Sequence, residues 1–173
     1  MERSLTVRWE DPASGAEAAR KMSGLEYLRA MSRGELPGVP MASLMGFGFS
    51  EIEEGRVVFE CVPGEQHYNP IGSVHGGLAC TLFDSAMGCA VHAALPAGVG
   101  YTTVELKVNF LRPITTGTGK LFCEGKTIHV GGRVATAEAR ITDEAGKLYG
   151  HATTTCMVFR GGDERRSVGE GES

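Results

Sequence analysis

Apolar residues first recur along the chain at helical spacing. Ala18, Met22, Leu25, Leu28 and Met31 fall three or four positions apart and predict an amphipathic helix over residues 17–33. Gly34, Pro37, Gly38 and Pro40 end it. Residues 42–52 and 56–62 follow, joined by Glu53-Glu54-Gly55, and the second run is rich in β-branched and aromatic residues. Together they predict a hairpin. Residues 77–94 are apolar on nearly every side, through Leu78, Leu82, Phe83, Met87 and Val91. A helix with so little polar face is a buried one. Four further strands are predicted over residues 102–111, 119–130, 133–142 and 147–159. Gly131-Gly132 and Asp143-Glu144-Ala145-Gly146 connect the last three, as short turns do in an antiparallel meander.

The predicted class is α+β: a curved antiparallel β-sheet wrapped around a long central helix, with an extra N-terminal helix. Residues 1–41 are read as an extension carrying one helix, residues 42–160 as the main domain, and residues 161–173, which are glycine-rich and charged, as a disordered tail. A sheet covers one side of the helix, and a second subunit is one way to cover the rest.

Composition narrows the choice of partners. A chain of 173 residues suits one domain, and its net charge of -4 is mixed along the sequence. No basic stripe is present to follow a phosphate backbone or an anionic membrane, so neither nucleic acid nor membrane is expected. The first ten residues lack the apolar core of a signal peptide, and residues 76–100 carry Asp84, His92 and many small residues, so the expectation is cytoplasmic. The five cysteines are odd in number, form no C-x-x-C pair and sit in apolar stretches, which reads as buried, reduced thiols. No metal or cofactor is expected.

The candidate chemistry lies between Asn69 and Asp84. Gly76 and Gly77 stand where the central helix begins, and a helix N-terminus offers free N–H groups and partial positive charge. Glycine there lets a ligand approach the backbone, so a thioester carbonyl becoming an oxyanion would be well placed. A glycine-rich cap with no ligand is the plainer alternative. Asp84 is the one carboxylate between Glu65 and Glu105. Set in an apolar helix, it is expected to be buried, with its pKa raised toward that of a general base; a solvent-facing or locally bonded Asp is the plainer alternative. His75 and Asp84 are nine positions apart, about 13 Å along a helix. Catalytic groups must each come within about 3 Å of the reacting centre. The two ends cannot share a site in one subunit, whereas antiparallel helices of a two-fold dimer bring them together.

Asn69, Gly72, His75-Gly76-Gly77 and Asp84 resemble the phenylacetic-acid-degradation type of thioesterase in the hotdog superfamily. The likeness runs on through Thr103-Val104-Glu105-Leu106-Lys107-Val108-Asn109-Phe110-Leu111-Arg112-Pro113 and Gly132-Arg133-Val134-Ala135-Thr136, and covers roughly residues 42–159. It implies a hotdog fold, a dimer or dimer of dimers, and hydrolysis of acyl-CoA thioesters without a metal. By position it implies that the Gly76 N–H polarises the thioester carbonyl beside Gly77, that Asn69 and His75 orient that end, and that Asp84 of the partner subunit activates water or attacks directly. Thr103, or else its neighbour Thr102, would stand near the nucleophilic water. Arg133 is the first candidate for the coenzyme A phosphates, with Arg112 and Arg160 weaker ones. His92 is read as a bonded core histidine, and His67 as a residue that could line the site. A non-catalytic acyl-CoA-binding module on the same fold, and a hotdog hydratase, are the competing readings.

Overall fold

The computed structural model describes residues 2–160; the predicted disordered tail lies outside them. Three short helices, α1 (Ala13–Ala19), α2 (Gly24–Ser32) and α3 (Pro40–Met45), precede the hairpin β1 (Phe47–Glu53) and β2 (Arg56–Cys61). The long helix α4 (Gly76–Ala93) follows, then β3 (Val99–Phe110), β4 (Leu121–Val130), β5 (Val134–Asp143) and β6 (Leu148–Arg160). The strands form one six-stranded antiparallel sheet in the order β1-β2-β4-β5-β6-β3. Sheet and helix together are the hotdog fold. Among the described residues no helix is long and apolar enough to cross a membrane.

The sheet closes on α4, which touches all six strands. Leu78, Leu82, Phe83, Met87 and Val91 are buried against Val57, Phe59, Cys123 and Ile141. Strand β5 alternates buried Ala135, Ala137, Ala139 and Ile141 with more open neighbours, the period-two pattern of a half-buried strand. At Gly125 of β4 a side chain would lie 2.3 Å from the Ala86 carbonyl oxygen, so helix and strand backbones meet there. All five cysteines are free thiols.

Two expectations are corrected. The single helix over residues 17–33 is two helices. Ser23 accepts the Glu26 N–H at 3.4 Å while the Glu26 carboxylate takes the Ser23 N–H at 3.1 Å, a capping box that starts a new helix at Gly24. Packing requires the break: a side chain at Gly24 would lie 1.7 Å from the His92 carbonyl oxygen, and the Gly24 N–H bonds Leu95 O at 3.0 Å. The strand expected over residues 42–52 begins only at Phe47, because Pro40 opens α3 and Gly46, at φ 67°, turns out of it.

Candidate active site

The first half of the site is the start of α4. His75 is the N-cap: its Nδ1 accepts the Gly77 N–H at 2.8 Å, and its own N–H donates to His67 O at 2.7 Å. Residues 75 and 77 are thereby tied on either side of Gly76, whose N–H has no acceptor among the described residues. Asn69 holds the loop leading in. Its Oδ1 accepts the N–H groups of Ile71 (3.0 Å) and Ser73 (3.2 Å), and its Nδ2 donates to Ser73 Oγ at 3.0 Å. The carboxamide is thus engaged in shaping the turn. A cleft of about 470 Å³ opens beside Gly76, walled by Ser73, His75, Phe110, Arg112 and Ile114.

His67 supports this turn from below. It is buried, its Nδ1 accepts the Gly64 N–H at 3.0 Å, and its Nε2 faces the Met45 carbonyl without reaching hydrogen-bond geometry. Burial lowers its pKa, which keeps the ring neutral. It shapes the site through its backbone carbonyl rather than lining it.

The second half lies two turns along α4. Thr103 Oγ1 donates to Asp84 Oδ1 at 2.9 Å, joining edge strand β3 to the helix. Behind Thr103, its cross-strand partner Cys156 places Sγ 4.0 Å from the same hydroxyl. Of the two threonines the sequence offered, Thr103 is the one that turns to Asp84; Thr102 is exposed, as alternation along a strand dictates. The expectation of a buried Asp84 is corrected: in the single chain it is exposed. The sheet packs on the faces bearing Leu82, Phe83, Ala86 and Met87, and Asp84 points from the strip left uncovered.

The remaining candidates divide. Gly77 lies beside Gly76 with its N–H committed to the His75 cap. Arg133 is exposed in the β4–β5 turn, where its carbonyl accepts the Val158 N–H at 2.9 Å. Arg112, the weaker candidate in the sequence, is the guanidinium that walls the Gly76 cleft, held by a bond from Nη1 to Leu148 O. Arg112 and Gly76 come together because the end of β3 meets the start of α4 in the folded sheet. His92 is held by ring contacts rather than hydrogen bonds among the described residues, between Tyr27 and Tyr101 with centroids 5.5 Å apart on each side. No cluster of metal-ligating side chains occurs among the described residues.

Residues 71–149, from the loop before α4 to the start of β6, match the sequence profile of the thioesterase superfamily. An esterase by assignment from Saccharolobus solfataricus is 32% identical over 109 residues, 63% of this chain and 76% of that one. The chain belongs to the thioesterase superfamily. An esterase by assignment from Halobacterium salinarum is 40% identical over 85 residues, 48% of this chain and 50% of its own, so the chain spans half the length of that relative. Human acyl-coenzyme A thioesterase 13 is 30% identical over 79 residues, 43% of this chain and 56% of that one. Among solved structures, a phenylacetic acid degradation-related protein from Ralstonia eutropha JMP134, a thioesterase by assignment, superposes with a TM-score of 0.69 at 29% identity. The match covers 76% of this chain and 98% of that chain.

Proposed function

We propose that the chain hydrolyses an acyl-CoA thioester, with an aromatic or short- to medium-chain acyl group, to the free acid and coenzyme A. The observation that carries this reading is the separation of two complementary half-sites on one helix. The open Gly76 N–H stands at the N-terminus of α4, and the Asp84–Thr103 pair stands eight residues on, about 12 Å along the axis. Neither half can do the chemistry alone, and a two-fold partner with an antiparallel α4 would supply the other half to each.

The edge of β3, running from Thr103 beside Asp84 to Phe110 beside Gly76, supports such a partner. β3 is an edge strand bonded on one side to β6, and Val104, Phe110 and Leu111 stand 54%, 59% and 49% exposed on or just beyond it. Apolar side chains gathered on an open sheet edge mark an interaction surface. The functional unit in this reading is a homodimer with two equivalent sites, which can assemble further as a dimer of dimers.

In that unit the thioester carbonyl points at the Gly76 N–H, where the positive end of the α4 dipole stabilises the oxyanion. The partner's Asp84 faces the carbonyl carbon. Thr103 occupies Oδ1 and leaves Oδ2 for the reaction. As general base, Oδ2 takes a proton from water while the water oxygen bonds to the carbonyl carbon. The carbon–sulfur bond then breaks, and the thiolate leaves as coenzyme A after regaining a proton. As nucleophile, Oδ2 attacks the carbonyl carbon and expels the coenzyme A thiolate, which takes up a proton; water then opens the resulting anhydride to the free acid and the Asp84 carboxylate. Arg112 is the cation placed to meet the coenzyme's phosphates.

Thiol release from a panel of acyl-CoAs, with wild type and Asp84→Asn side by side, tests the reading. Release by wild type and a loss of about a hundredfold or more in the variant support it. Equal rates in the two proteins refute the mechanism, and tight binding with no thiol release identifies a binding module.

A further inference from the structure

Asp84, Gly88 and His92 stand four residues apart on α4 and therefore share one face. On β3, Thr103 and Tyr101 stand two apart and share a face as well. The two rows meet rung by rung. Thr103 bonds Asp84, and Tyr101 lies over the next two positions. A side chain at Gly88 would lie 2.8 Å from the Tyr101 hydroxyl, so the phenol occupies the space that glycine leaves. The Tyr101 ring then contacts His92, whose other side is covered by Tyr27 of α2. Gly24 presses α2 onto the His92 backbone and fixes that stack. Beyond it lies a half-open cavity of about 490 Å³, lined by Ala16, Ala19, Arg20, His92, Tyr101 and Phe159.

The seam itself carries uncharged groups, and the arginines Arg20 and Arg160 lie only in the cavity beyond it. Burial pushes the Tyr101 phenol well above its ordinary value and the Cys89 thiol up to about 12, and it lowers the His92 imidazole. An uncharged seam leading away from Asp84 suits the acyl group, while Arg112 of the partner subunit, beside the Gly76 that completes the same site, suits the coenzyme.

We infer that Tyr101, backed by His92 and Tyr27, is the end wall of the acyl subsite, and that it restricts the substrate to a short acyl group or a single aryl ring. The inference rests on the hydrolase reading and deepens it. From Asp84 to Gly88 the helix advances about 6 Å, about the length of a ring or a short chain, so a longer acyl group running along this face meets the phenol. Removing the Tyr101 side chain joins the seam to the cavity behind it. The N-terminal helices acquire a role, since α2 braces the wall and α1 roofs the space beyond.

The test is the ratio of kcat/KM for decanoyl-CoA to that for butyryl-CoA. Wild type is expected to favour butyryl- and phenylacetyl-CoA. Tyr101→Phe keeps that order, because the ring stays in place. Tyr101→Ala raises the decanoyl-to-butyryl ratio about tenfold or more, since each buried methylene adds appreciable binding. Tyr101→Val, whose branched side chain suits a strand, repeats the test if the alanine variant does not fold. An unchanged ratio in both small variants, or a wild type that favours decanoyl-CoA, overturns the wall. Equilibrium binding of the same two thioesters to Asp84→Asn, with and without Tyr101→Ala, reads the ratio without turnover. No thiol release from wild type overturns the hydrolase reading. Equal binding ratios in the two Asp84→Asn proteins overturn the wall.

Discussion

Thr103 Oγ1 donates to Asp84 Oδ1 at 2.9 Å and so ties the edge strand to the middle of the central helix. A carboxylate free to rotate would spend much of its time turned away from a substrate. One held by a fixed donor presents its second oxygen in a set direction, which is the preorganisation a base or nucleophile requires.

Thr103→Val removes the donor and keeps the shape. A hydrogen bond to a charged group contributes about 1.5–3 kcal/mol, so kcat is expected to fall roughly tenfold to a hundredfold with KM little changed. Thr103→Ser should recover most of the rate. Steady-state thiol release with the three proteins checks this, and an unaffected kcat in the valine variant removes Thr103 from the site.

Gly24→Ala forces a methyl group to within 1.7 Å of the His92 carbonyl oxygen. That oxygen is backbone and cannot swing aside, so α2 must lift from α4. The expected cost is about 1–3 kcal/mol, read as a lower midpoint in chemical denaturation. Ser23→Ala, which removes the cap at the same helix start, should cost about 1 kcal/mol. A Gly24→Ala protein as stable as wild type contradicts the packing described.

Stability should fall on mild acidification. Burial holds the pKa values of both His67 and His92 below the ordinary 6.5. A histidine depressed in the folded state binds its proton more readily when unfolded. Its contribution is therefore complete above about pH 6.5 and is lost as pH falls below that value toward the folded pKa. Denaturant midpoints measured between pH 7.5 and 5 should decline, and His92→Phe, which keeps the ring stack, should flatten part of the slope. A flat wild-type profile over that interval contradicts the assignment.

Much of this fold is legible in the sequence, for physical reasons. The central helix shows itself because eighteen residues with so little polar face have nowhere to go but a core. The meander shows itself through glycine turns, and Gly146, at φ 76°, adopts a backbone that disfavours other residues. The broken N-terminal helix does not show itself. Its apolar spacing runs straight through Ser23-Gly24, and the reason for the break, the His92 backbone, lies 68 positions away. The exposure of Asp84 is hidden for a related reason. Composition reports that the helix is apolar, but not which strip the sheet leaves open. The distance argument from His75 to Asp84 survives because it depends only on helical rise. The nearness of Arg112 to Gly76 is not legible either, because the two stand 36 positions apart in the chain.

The central claim is that each site takes Gly76 from one subunit and Asp84 from another, and complementation tests it most directly. Gly76→Pro removes the N–H at the first helical position, where proline is tolerated, and meets only the movable end of Phe110. Asp84→Asn removes the carboxylate. Each variant alone should be nearly inactive. Unfolded and refolded together in equal amounts, half the dimers are mixed, and each mixed dimer carries one intact site of its two, so about a quarter of wild-type activity should return. A mixture as inactive as its parents, with mixed dimers shown to have formed, would contradict the shared site.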